Sequence, residues 1–132
     1  MQLSDELRAE ILQHAKTETP KECCGLVAVV KGRHRYFPCQ NIADTPDEHF
    51  VLSGWDEVED QGEVVAIAHS HPKTNPEPSA ADLVACEKSE LPWFIVNPNT
   101  EGWGYCEPTG FKLPYVGREF VFGVVDCYTL VR

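Results

Sequence analysis

Glu63-Val64-Val65-Ala66-Ile67-Ala68 runs into His69-Ser70-His71-Pro72, and the stretch Pro72–Pro78 leads on to Ser79-Ala80-Ala81-Asp82. The unbroken apolar run reads as a strand buried on both faces, inside a sheet rather than at its edge. Alternate residues of a strand share a face, with Cα atoms roughly 6.5–7 Å apart. His69 and His71 therefore converge on one side and Ser70 points to the other. Pro72 has no N–H for a ladder and ends the strand.

Pro72-Lys73-Thr74-Asn75-Pro76-Glu77-Pro78 holds too much proline for regular structure and reads as a stiff loop. Ser79 to Glu90 reads as a helix with Ser79 as N-cap and an apolar stripe of Ala80, Leu83, Val84 and Cys86. If the loop folds the helix start back over the strand end, Asp82 joins the two imidazoles and Ser79 brings a hydroxyl beside them. Two histidines and a carboxylate are a ligand set for a catalytic zinc, which keeps one coordination position open for water. Ser-x-x-Asp ahead of an apolar helix is equally a capping box that needs no metal. Histidine pairs at i, i+2 are ordinary by themselves. It is the combination at fixed spacing that points to an ion.

A zinc hydrolase also requires a base for the attacking water. Glu22 stands out by context, in Thr19-Pro20-Lys21-Glu22-Cys23-Cys24-Gly25, where a first helix gives way to the strand Leu26-Val27-Ala28-Val29-Val30. A carboxylate at the mouth of a buried strand is partly desolvated and aimed at the neighbouring strand end. A solvated glutamate in a turn is the competing reading.

Taken together, Pro20-x-Glu22-x-x-Gly25, His69-x-His71-Pro72, Ser79 and Asp82 resemble the motif of the JAMM (MPN-plus) metalloproteases, over about residues 1–106. The resemblance implies an α/β (α+β) JAMM/MPN domain, a mixed central β-sheet flanked by helices and layered like the cytidine deaminases. It further implies one zinc ion per chain held by His69, His71 and Asp82, Glu22 as general base and proton donor, and Ser79 as a donor to the oxyanion. The substrate class it implies is a peptide or protein, cut at an amide or isopeptide bond. The His-Glu-x-x-His signature of other metalloproteases and the Pro-Cys-x-x-Cys signature of the deaminases are both absent.

The remaining elements read coarsely. Ser4 caps a helix to about Lys16 with Leu7, Ile11 and Ala15 inward. Strands near Gly25–Val30 and Arg33–Phe37 form a hairpin through Lys31-Gly32. A strand is expected near His49–Leu52, a short acidic helix near Trp55–Asp60, a strand at Trp93–Val96, a turn at Asn97–Thr100, and a last strand at Gly102–Cys106. The 132 residues suffice for one domain with its own core. The net charge of −10 argues against nucleic acid or an anionic membrane as partner. No apolar stretch is long enough for membrane insertion, and an acidic start (Ser4-Asp5-Glu6) is no signal peptide, so a cytoplasmic location is expected. The six cysteines include no Cys-x-x-Cys pair; Cys23, Cys24 and Cys86 sit in apolar surroundings and read as core fillers.

Glu107 to Arg118 has a linker-like composition, with Pro108, Gly110, Pro114 and Gly117. Residues 119–132 then open a fresh apolar run. There Asp126-Cys127-Tyr128-x-Leu130 resembles the nucleophile segment of NlpC-type cell-wall cysteine peptidases, with Cys127 as the nucleophile but no partner histidine within the chain. A final strand with an incidental cysteine is the alternative. A JAMM domain followed by an NlpC-type unit is similar to the tail-assembly proteins of lambdoid phages. That implies tail-tip proteins or peptidoglycan as partners, and a place in the host cytoplasm or on the virion tail. Two other readings remain open: a bacterial JAMM hydrolase that releases a ubiquitin-like sulfur carrier, and a non-catalytic tail-assembly module.

Overall fold

The computed structural model describes residues 2–47 and 49–109, so Cys127 and residues 119–132 lie outside the described part. Helix α1 (Asp5–Glu18) is followed by strands β1 (Cys24–Val30), β2 (Arg33–Asn41) and β3 (Leu52–Ser53), helix α2 (Trp55–Glu59), strand β4 (Glu63–Ser70), helix α3 (Ala80–Ser89), and strands β5 (Trp93–Val96) and β6 (Trp103–Cys106). The strands form one sheet in the order β3-β2-β1-β4-β5-β6. Only β4 and β5 run parallel, joined through α3; the other neighbours are antiparallel. This is the expected mixed sheet flanked by helices.

Side-chain alternation divides the core into two layers. Cys23, Val27, Ala66, Ala68, Phe94 and Val96 face α1, which buries Leu7, Ile11 and Ala15 against them. Cys24, Leu26, Ala28, Ile67 and Trp93 face the opposite way, toward Trp55 and Val58 of α2 and Ala85 and Cys86 of α3. β4 lies between β1 and β5 with its last residues, Ala66 to Ser70, all buried, as its apolar run requires. The hairpin at Lys31-Gly32 has positive φ at both residues (52° and 79°), the turn whose twist matches paired strands.

Three expectations differ in detail. β2 runs on through Pro38 to Asn41 instead of ending at Phe37. β3 covers only Gln40 and Asn41, so Pro38 lies where the outer side of β2 is open and a missing N–H costs no ladder bond. The strand expected near His49–Leu52 shrinks to Leu52-Ser53. Leu83 is 48% exposed rather than inward. The buried stripe of α3 is Asp82, Ala85, Cys86 and Ser89 with Val84 beside it, a helical repeat whose two polar members an apolar-period reading passes over. Ser89 is satisfied inside by donating to Cys86 O (2.8 Å) and accepting from Trp93 Nε1 (2.9 Å).

Gly25 is required by contact. A Cβ there would overlap the ring of Tyr36, a buried side chain tied to His14 Nδ1 at 2.7 Å. Gly25→Ala should cost about 1–3 kcal/mol through this overpacking. Thermal unfolding would read it as a fall in Tm of roughly 4–8 °C per kcal/mol; an unchanged Tm would mean that the ring moves aside freely.

Candidate metal centre

β4 carries His69 to the middle of the sheet, opposite Cys24 of β1 and Ile95 of β5. The ring is fully buried, stacked on Phe50 (centroids 4.6 Å apart) and met edge-on by Trp93 (5.3 Å). His71 follows the strand, and its N–H still donates to Val96 O at 2.9 Å. The two imidazoles are therefore held on one side, centroids 5.0 Å apart. Ser70 points to the other side and accepts a hydrogen bond from Cys23 N at 2.7 Å.

α3 brings the third group. Asp82 is buried, with Oδ1 3.5 Å from His69 Nε2 and Oδ2 3.0 Å from His71 Nε2. One donor atom from each of His69, His71 and Asp82 lies within 4.8 Å of the others. Ser79 caps the helix as the spacing suggests: its Oγ accepts from Asp82 N (3.1 Å) and its N–H donates to Asp82 Oδ2 (2.9 Å). An Oγ used as acceptor keeps its proton for another partner. Glu22 arrives from the far side, two residues ahead of β1. It is only 8% exposed, with Oε1 3.7 Å from His69 Nδ1. All five of these sequence-selected residues thus meet at one end of the sheet, whereas Cys127 lies outside the described residues.

The imidazoles are in unequal states. His71 Nδ1 is 2.9 Å from Asn75 O, a contact only a ring N–H can make, so Nε2, 3.0 Å from Asp82 Oδ2, is the nitrogen that can exchange a proton for a cation. Among the described residues neither nitrogen of His69 has a hydrogen-bond partner, though both are buried; the nearest carboxylate oxygens are too far away. A polar atom left in that condition costs about 1–3 kcal/mol unless something else satisfies it. The residues fit a metal ion: an unpartnered imidazole, a second one whose tautomer is fixed by a carbonyl, and a carboxylate make an N,N,O donor set suited to zinc.

The electrostatics agree with that fit. Burial pushes the Asp82 carboxyl up, but His69, His71 and the Ser79 N–H outweigh it and bring the group down to about 2. Burial likewise pulls His71 down, but the Asp82 hydrogen bond, the Asn75 carbonyl and the charges of Asp82 and Glu22 raise it above its ordinary value. The field therefore attracts positive charge, and a proton on His71 competes with a cation for the same place. Cys23 nearby is pushed up to about 12, first by burial, as befits a packing thiol rather than a nucleophile.

Sequence reasoning passed over the groups that hold the loops. Asn97 Nδ2 donates to Thr74 O (2.6 Å) and Asn99 Nδ2 to Pro72 O (2.8 Å), fastening the β5–β6 turn to the loop between His71 and α3. A Cβ on Gly104 would run into the Pro76 carbonyl, so that loop lies directly against β6. Across the site, Lys73 Nζ meets Asp47 Oδ2 at 2.6 Å, linking the same loop to the β2–β3 connection. The asparagines read only as turn formers in the sequence, although Asn75 lies within one proline-rich loop and Asn97 and Asn99 bond to it.

The family described as prokaryotic homologs of the JAB domain matches residues 4–106. The tail tip assembly protein K of Escherichia phage N15 is 46% identical over 92% of this chain and 50% of that protein, so the chain spans about half the length of this relative. The CysO-cysteine peptidase of Mycobacterium bovis is 30% identical over 69% of this chain and 71% of that protein. The crystal structure of a JAB1/MPN domain protein from Archaeoglobus fulgidus is 21% identical with a TM-score of 0.55, covering 86% of this chain and 95% of that one, which speaks to the fold alone. With residues 4–106 matched and a centre assembled from the strand, loop and helix that its motif spans, this chain belongs to the prokaryotic JAB-domain family.

Proposed function

We propose that the domain is a zinc-dependent peptidase or isopeptidase that hydrolyses an amide bond of a protein substrate in the tail-tip assembly, or the cell-wall entry, of a phage. The observation that carries the chemistry is the buried His69 ring with both nitrogens unpartnered, set against His71 and an ionised Asp82. The tail role is supported by the 46% identity to a phage tail tip assembly protein, and peptidase activity by the relative named for it. Zinc bound by His69, His71 and Asp82 would supply a Lewis acid for the carbonyl and a water acidic enough to ionise near neutral pH.

The chain's own residues account for the remaining steps. Glu22, buried beside His69, takes the proton of the attacking water and hands it to the departing amine, so its carboxyl must be ionised at the start and neutral between the two transfers. The Ser79 hydroxyl donates to the carbonyl oxygen as negative charge builds there. Its acceptor side is occupied by Asp82 N–H, which fixes where Oγ stands. Phe50 and Trp93 keep water off the His69 ring.

Release of a sulfur-carrier protein from its conjugates is a second reading, favoured by the 30% identity to the CysO-cysteine peptidase. Asp126-Cys127-Tyr128-x-Leu130 we read as the nucleophile segment of a second, cysteine-peptidase unit. None of the described residues bears on it.

Elemental analysis should find about one zinc per chain in the wild type and none in His69→Ala; a wild type that takes up no zinc when supplied with it would leave Ser79 and Asp82 as a helix cap and favour the non-catalytic assembly module. A panel of linear peptides and isopeptide-linked conjugates, read by mass spectrometry, should lose cleavage by about 10²–10⁴-fold in Glu22→Gln with zinc retained; near-normal turnover would remove Glu22 from the mechanism. Ser79→Ala should both lower stability by about 1 kcal/mol through the lost cap and slow turnover by about 10²–10³-fold. A stability loss with unchanged turnover would leave Ser79 as a cap only.

A further inference from the structure

Asn41 is the last residue of β2, and its side chain is occupied entirely by main-chain groups. Nδ2 lies 2.9 Å from Glu22 O, 3.1 Å from His49 O and 3.3 Å from Pro46 O. Oδ1 accepts from Ala43 N and Val51 N, each at 3.0 Å. A carboxamide has two N–H hydrogens and one acceptor oxygen; here both ends are engaged by main-chain groups of the described residues.

These contacts converge on the centre. Glu22 N–H donates to Pro46 O at 2.7 Å, and Pro46 O is itself a neighbour of Asn41 Nδ2. The main chain of Glu22 is thus gripped on both sides of its Cα, at C=O by Asn41 directly and at N–H by a loop that Asn41 holds. Val51 N, anchored on Oδ1, follows Phe50, whose ring stacks on His69. A single amide therefore ties the main chain of Glu22 to that of the segment carrying the ring that covers the first imidazole. Glu22 precedes β1 and the loop follows β2, so their mutual position is not set by the strand ladder, which pairs only Cys24 onward with Cys39.

We infer that Asn41 is the positioning residue for Glu22: it sets the distance and direction of the proton-transferring carboxylate without touching substrate or metal. The functional consequence rests on the peptidase reading above, whereas the structural hold on Glu22 does not. The side-chain ligands of the proposed ion sit on β4 and α3 or just beyond, away from Asn41, so its loss should spare zinc binding.

The test is amide hydrogen exchange by NMR on the full chain as wild type, Asn41→Ala and Asn41→Asp, with zinc content measured on the same samples. Asn41→Ala should speed exchange at the Glu22 amide by about 100-fold while Ile67 in β4 and His71 just beyond it stay within about threefold of wild type. Asn41→Asp keeps an acceptor for Ala43 and Val51 but loses the donors, so the Val51 amide should stay protected while that of Glu22 is freed. This second variant carries the test if Asn41→Ala does not fold. Both should keep about one zinc and, on the peptide panel, lose about 10–100-fold in kcat with KM within about twofold, the size expected of a group acting through another. A Glu22 amide as protected as in wild type, acceleration of every amide alike, or an unchanged kcat would each overturn the inference. A wild type without zinc would instead remove the peptidase reading and leave the exchange result standing.

Discussion

His69 is buried completely, and neither of its ring nitrogens has a hydrogen-bond partner among the described residues. An imidazole in that position destabilises the fold unless something completes its bonding, and much of the nearby architecture is arranged around that fact. β4 has to be interior for the ring to be dry, which explains the apolar approach from Val64 to Ala68 and the flanking by β1 and β5. Phe50 and Trp93 close the ring's flanks. Asp82 and Glu22 approach from opposite sides, one from a helix start and one from a strand start, each stopping beyond hydrogen-bond reach of His69. The outcome is a buried polar cluster at an apolar sheet end, with a carboxylate on each side of His69.

The sheet and its buried central strand were readable because they rest on period-two patterning and on strong breakers. The Glu63–His71 run, the Lys31-Gly32 turn and the Pro72–Pro78 loop each have one easy structural solution. The meeting of His69, His71 and Asp82 was one of two open readings from the residues, since Ser79-x-x-Asp82 is equally a capping box, and the resemblance to the JAMM motif is what favoured it. What stayed hidden depends on tertiary context. The expected β2 stopped at Phe37, but the strand continues through Pro38, and the two-residue length of β3 explains why proline is harmless there. Leu83 suggested the inward stripe, but the inward positions belong to Asp82 and Ser89, polar groups whose partners come from distant or irregular segments. Asn41, Asn97 and Asn99 bond to backbone carbonyls 5 to 27 residues away, and no local pattern announces such a partner.

Those asparagines show how irregular chain is made rigid here. The His71–α3 loop has three prolines and few hydrogen bonds of its own, so its shape is imposed from outside by Asn97 and Asn99, by the close approach of Gly104 to Pro76, and by the exposed Lys73–Asp47 pair. The exposed pair contributes little by itself, since solvent screens it. The buried or half-buried amide contacts are worth more, because breaking one strands a carbonyl. Preorganisation of the centre therefore sits mainly in neutral side-chain amides on neighbouring turns, which keep geometry without adding charge to a cluster whose charge balance matters.

Capping and an approach to the two histidines are compatible at Ser79-x-x-Asp82. Ser79 N–H donates to Oδ2 of Asp82 while Ser79 Oγ accepts from Asp82 N–H, a reciprocal cap. The same Oδ2 bond fixes the carboxylate's rotation, and with it the direction of Oδ1 toward His69. A carboxylate free to rotate at a helix start would lose side-chain entropy on binding an ion; one already held by the cap loses less. The helix cap is thus the outer support of the proposed ligand, and its N-terminal placement adds the favourable dipole end to an ionised Asp82 whose carboxyl is held near 2. A helix-start motif that looks purely structural in sequence becomes, at the end of this loop, what aims an acid at two histidines.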